Sequence, residues 1–170
     1  LEYRLDANHL LTNLIAINCG NEFLKVKDAK HKKFKEMLFC EINTQFKNDL
    51  HYEKTPSYHN LLTEKLIEFQ IIKNYLCLKI SKKEINLIKK LINTSKNFSH
   101  PDKYPAFFND TNFDCINHEM LESLFLKNFK KEKIIYKTSN NNSFFSLKNK
   151  KFFLISKCCD PNPIFNPGHS

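Results

Sequence analysis

The sequence holds only two glycines, Gly20 and Gly168, and no tryptophan. So little glycine leaves no Gly-rich loop whose backbone amides could cradle a phosphate, which sets aside the common nucleotide-binding signatures. Arginine is almost missing as well: Arg4 is the only one, and lysine carries the positive charge. Bidentate reading of bases and phosphates depends on guanidinium geometry, so the net charge of +9 reads mainly as solvated charge that attracts acidic partners. The bias toward Lys, Asn, Ile and Phe is of the kind an AT-rich coding sequence imposes. The six cysteines, at 19, 40, 77, 115, 158 and 159, show no C-x-x-C spacing, and no metal or other cofactor is expected. Reduced thiols point to an intracellular compartment, cytosol or organelle matrix, with Cys40 and Cys77 expected as small buried hydrophobes on helices. No apolar run is long enough to span a bilayer, so no membrane span is expected. The chain opens on Leu1 without an initiator methionine or a signal-peptide pattern, as a fragment or trimmed chain would.

What is present is helical periodicity. Leu10, Leu11, Leu14, Ile15 and Ile17 recur at helical spacing after Asp6, a candidate N-cap, and Gly20 is expected to close that helix. Asp28 precedes a second helix whose stripe is Phe34, Leu38, Ile42 and Phe46. The segment 51–56 breaks the pattern and Pro56 ends a unit. Ser57 is then expected to cap a long helix, apolar on more than one face and therefore central. Ser81-Lys82-Lys83-Glu84 is a capping box that opens a helix with Ile85, Ile88, Leu91 and Ile92 inside. Thr111 to Asp114 repeats that pattern more weakly before Ile116, Met120, Leu121, Leu124 and Phe125. These last two helices are expected to form an antiparallel hairpin, with Phe107 and Phe108 of its loop folded inward. From Glu132 the period changes to short aromatic and β-branched runs, at 133–137, 144–147 and 152–155, which read as a three-stranded meander.

Between the two hairpin helices stands Ser99-His100-Pro101-Asp102-Lys103-Tyr104-Pro105, the one place where chemically unlike residues follow each other in fixed order. Pro101 forces a loop, which would hold the His100 imidazole and the Asp102 carboxylate toward solvent. Together with Tyr75, Leu78 and Ile80, the run Ile88-Lys89-Lys90, and Phe113, Ile116 and Asn117, this stretch resembles the J-domain family of Hsp70 co-chaperones over residues 70–137. The resemblance implies that His100, Pro101 and Asp102 trigger an Hsp70 partner and that Lys89 and Lys90 dock on its acidic surface.

The fold class expected is mostly α (α+β): a helical domain with an antiparallel helical hairpin carrying the His-Pro-Asp loop, followed by a small C-terminal β-meander. The expected organisation is an N-terminal helical region at 1–56, a J-domain-like region at 57–131, a meander packed on the helices at 132–157 and an extended tail at 158–170. Three functional readings stand side by side. The chain is a J-like co-chaperone or assembly module. Alternatively it is a winged-helix-like nucleic-acid-binding module, with phosphate contacts at Lys148, Lys150 and Lys151. Or it is a helical protein-interaction domain in which the triplet is a plain Pro-Asp turn. Nucleic acid is the less favoured partner. No nucleophile or acid-base pair stands at a fixed offset, so the sequence reading is of a chain that is not an enzyme.

Overall fold

The computed structural model describes residues 8–112, 114–136, 144–148 and 152–157. Among them are five α-helices: α1 Asn8–Phe23, α2 Ala29–Gln45, α3 Pro56–Tyr75, α4 Lys82–Asn97 and α5 His118–Asn128. Two strands follow, β1 Phe144–Lys148 and β2 Phe153–Lys157, paired antiparallel with Phe144 opposite Lys157 and Lys148 opposite Phe153. The chain is therefore mostly helical, as its periodicity predicts.

Local chemistry sets the helix starts. Asp28 accepts from the backbone N–H of His31 at 2.7 Å and begins α2. In the capping box of α4, Ser81 Oγ accepts from Glu84 N and the Glu84 carboxylate accepts from Ser81 N. Two other starts differ from expectation. Helix α3 begins two residues early, with Pro56 at the first helical position and Thr55 rather than Ser57 as cap, because a proline lacks the N–H that a first-turn residue would leave unbonded. Helix α5 begins at His118, capped by Asn117, whose side chain accepts from Met120 N at 3.0 Å, and not at the weaker pattern of Thr111 to Asp114. Gly20 does not close α1. The helix runs on to Phe23, and Lys25, with a φ of 55°, makes the turn instead.

Helix α3 is the centre of the array and touches α1, α4 and α5. Leu62 and Ile67 of α3 are buried with Leu11 and Leu14 of α1, Ile88, Leu91 and Ile92 of α4, and Leu121 and Phe125 of α5 in one continuous core. Each such side chain contributes roughly 1.5–3 kcal/mol when fully buried.

Side-chain bonds fix the helix directions. Asn18, late in α1, donates to the carbonyl of Phe34, early in α2, so those two helices are antiparallel. Lys73 near the end of α3 meets Glu84 at the start of α4, while His59 at the start of α3 reaches the Leu91 carbonyl. His118 at the start of α5 meets Ser99 just past α4. Asn18 and Glu22 of α1 line the same groove as Phe69 and Lys73 of α3. Helices α1, α3 and α5 consequently run the same way, and their first turns share one end of the array.

Several expectations change. Residues 132–136 form no strand, since Tyr136 is held on the helices: its hydroxyl donates to Glu122 and Lys96 Nζ sits 3.5 Å from its ring centroid. The expected three-stranded meander is thus a two-stranded pair among the described residues. Phe107 is exposed rather than folded inward, because the loop is held by Ala106, Asn109 and Asp110 and leaves that ring outside. Cys40 and Cys77 are exposed, on the outer face of α2 and in the turn after α3. The expected loop at 139–142, with Cys158, Cys159 and the proline-containing tail, lies outside the described residues. Among the described residues no helix is long and apolar enough to cross a membrane, and no group of metal-binding side chains occurs.

Candidate functional site

The end of the array that holds the first turns of α1, α3 and α5 is where buried polar side chains gather. His51, Glu53, Thr55, Ser57, His59, Asn60, Ser95, Ser99 and His118 are all buried there. Burying such groups is tolerated only when they are bonded, and a network of them holds a surface in one shape.

Two loops are stitched together over this end. The Asn109 side chain donates to the carbonyls of Glu53 and Lys54, both at 3.2 Å. Ser57 N donates to Thr111 Oγ1 at 3.3 Å and Ser57 Oγ to the Asp110 carbonyl at 3.4 Å. Lys54 and Asn109 both have a φ of 55°, a left-handed conformation that costs a non-glycine residue of the order of 1 kcal/mol. The stitching holds both residues there.

Tyr58 emerges from this frame on the first turn of α3. It is half-buried, and its hydroxyl donates to Asp110 Oδ2 at 3.0 Å. Burial first, then the hydrogen bond and charge of Asp110 and the charge of Glu53, push the phenol up to about 12. Tyr58 therefore keeps its proton at neutral pH and serves as a donor, not as a base. Asn8 and the exposed His9, on the first turn of α1, belong to the same end.

Beneath Tyr58 the histidines are structural. His59 Nδ1 accepts from His51 N at 3.3 Å, which leaves Nε2–H to donate to the Leu91 carbonyl at 2.9 Å. His51 Nε2 faces Gln45 Oε1 at 3.2 Å. Burial, then the charge of His59, lowers His51 to about 3; burial lowers His59 to about 4 against the raising effect of its bond to Leu91. Both rings are neutral at neutral pH. Alongside them His118 Nδ1 meets Ser99 Oγ at 3.1 Å and Ser99 donates to the Ser95 carbonyl at 2.7 Å. Ser95 Oγ then donates to Asn60 Oδ1 at 2.6 Å, and Asn60 donates to the Ile116 carbonyl at 2.7 Å.

The residues singled out from sequence lie elsewhere in this frame. His100, Pro101 and Asp102 form a closed turn. His100 N donates to the Tyr104 carbonyl, Asp102 Oδ1 accepts from Tyr104 N, and Ser99 bridges to Pro105. The His100 ring packs edge-on against Phe153, with centroids 5.2 Å apart. Lys89 pairs with Glu132 at 2.5 Å and Lys90 with Asp49 at 3.2 Å. Lys148 lies on β1, and Lys150 and Lys151 fall outside the described residues. Tyr58, Glu53 and Asp110 were not legible as a site. The available signal was density: His51, Tyr52, Glu53, Tyr58, His59 and Asn60 fall within ten consecutive residues.

A family model described as the heparinase II/III N-terminus matches residues 1–140. No curated protein and no solved structure matches the chain. The match overturns the J-domain resemblance and the co-chaperone function drawn from it, because it takes in the whole stretch 70–137 on which that resemblance rests. A Pro-Asp turn after one amphipathic lysine-rich helix is common chemistry and imitates the shorter signature. It points instead to a polysaccharide lyase-related module. The chain belongs to the heparinase II/III N-terminus family.

Proposed function

We propose that this chain is the helical module of a polysaccharide lyase-related protein and that it meets an acidic glycan at the Tyr58 end of the array. One observation carries the reading: a half-buried phenol, its proton retained by burial and by Asp110, standing on a rigid polar frame in a chain of that family. A lyase cleaves without adding water. A base takes a proton next to an electron-withdrawing group, the bond to the leaving oxygen breaks, and that oxygen takes a proton from an acid. Tyr58, protonated at neutral pH, is assigned the acid's part.

The excess of lysine favours a polyanionic partner over a neutral one. This reading gives Tyr58 a part in chemistry, which is more than the sequence-based expectation of a chain that makes and breaks no bonds. Calorimetric titration of the full protein with heparin and with a neutral polysaccharide of similar length tests the binding. Heparin is expected to bind more weakly as salt rises, since exposed charges are screened over about 10 Å at 0.1 M. The neutral chain is expected to bind far less. Equal affinity for both, insensitive to salt, would contradict the proposal.

A further inference from the structure

At the opposite end of the array, α1, α2, α3 and the start of α4 enclose a groove of about 720 Å³. That is the size range of small-molecule sites, and it lies roughly 17 Å from Tyr58 along α3, taking 1.5 Å of rise per residue from Tyr58 to Phe69. We infer that this groove is a second glycan site, which takes an acidic sugar unit of the same polymer that meets Tyr58; the inference rests on the glycan reading above.

Three features of the lining fit that ligand. Phe39 and Phe69 supply apolar ring surface, and Phe39 is largely exposed. Asn18 lines the groove fully buried. Its Nδ2 is spent on the carbonyls of Leu14 and Phe34, while its Oδ1 has no hydrogen-bond partner. A buried acceptor left unbonded costs about 1–3 kcal/mol, and a sugar hydroxyl can donate to it. The rim is cationic. Lys35 and Lys73 are engaged by Glu22 and Glu84, whereas Lys79 and Lys83 are exposed and make no ion pair among the described residues. Those two lysines are placed for a carboxylate or sulfate. The apolar face of a neighbouring helix could cover Phe39 but could not satisfy Asn18 Oδ1, so the chemistry favours a polyhydroxylated ligand.

The test is nuclear magnetic resonance titration of the isotope-labelled protein with a heparin tetrasaccharide, using a neutral tetrasaccharide as control. The heparin fragment is expected to move the Asn18 side-chain amide and the backbone signals of 38–43 and 79–84. Lys79→Glu with Lys83→Glu, both exposed and away from the core, should weaken those shifts by about tenfold or more while the Tyr58 signals still respond. Tyr58→Phe should leave the groove response intact. Movement at Tyr58 with a silent groove would overturn this inference and leave the proposed function standing. Silence at both ends would overturn both. An equal response to the neutral tetrasaccharide, or no effect of the lysine reversals, would overturn the assignment of an acidic sugar.

Discussion

His51 and His59 show how a single residue type can be read two ways. In the sequence they lie at and just after a break in periodicity, and each is buried and held neutral: the His59 ring is bonded to backbone at both nitrogens, the His51 ring faces the Gln45 side chain. Their depressed values have a definite sign. The unfolded chain binds protons at these rings below about 6.5, whereas the folded chain does not until about 4 for His59 and about 3 for His51. Stability is therefore full above the unfolded value and falls as pH drops through this window, by up to about 1.4 kcal/mol per pH unit for each ring. Urea unfolding at pH 7 and pH 5 should show the loss, and His51→Gln should reduce the pH dependence. A flat profile would mean that the rings are protonated in the fold. Tyr58 presents the opposite case: a residue with no motif around it gains its character from burial and from Asp110, which is 52 positions away in sequence and therefore out of reach of spacing arguments.

At the scale of elements the sequence is more readable, because caps are local. Asp28 and the Ser81–Glu84 box are legible from a few residues each. Ser81→Ala should cost about 1 kcal/mol in chemical denaturation, the usual value for a lost N-cap. The Glu84 carboxylate contributes beyond the box. Burial raises it, but the bonds from Lys73 and Ser81 outweigh burial and hold it below its ordinary value. Gly20 misleads because glycine often ends helices, whereas here it sits exposed inside one, with open space on the side where a methyl group would stand and no left-handed backbone. Gly20→Ala should accordingly stabilise the protein by roughly 0.5–1 kcal/mol, seen as a higher unfolding midpoint. The segment at 132–136 misleads for another reason. Ile134 and Tyr136 have strand-like composition, but the helices supply better partners than a third strand would.

For the molecule as a whole, periodicity suffices for a helical array around α3, since Leu62, Leu66 and Ile67 repeat the pattern a central helix needs. The site is beyond that reach. It is assembled from three stretches, around 53–60, 95–99 and 109–118, which meet only after α3, α4 and α5 have packed. The loop stitching should matter at this scale too: Asn109→Ala removes the Asn109 bonds to Glu53, Lys54 and Thr55 and should cost about 1–3 kcal/mol, with a matching loss of glycan affinity. The central claim is that Tyr58 gives a proton to an acidic glycan. The most direct measurement is the rate at which the full protein forms the ultraviolet-absorbing unsaturated product from heparin, compared between wild type and Tyr58→Phe. The account predicts a loss of roughly 10²–10⁴-fold with unchanged stability and near-unchanged glycan binding. A Tyr58→Phe variant that forms product at the wild-type rate would contradict it.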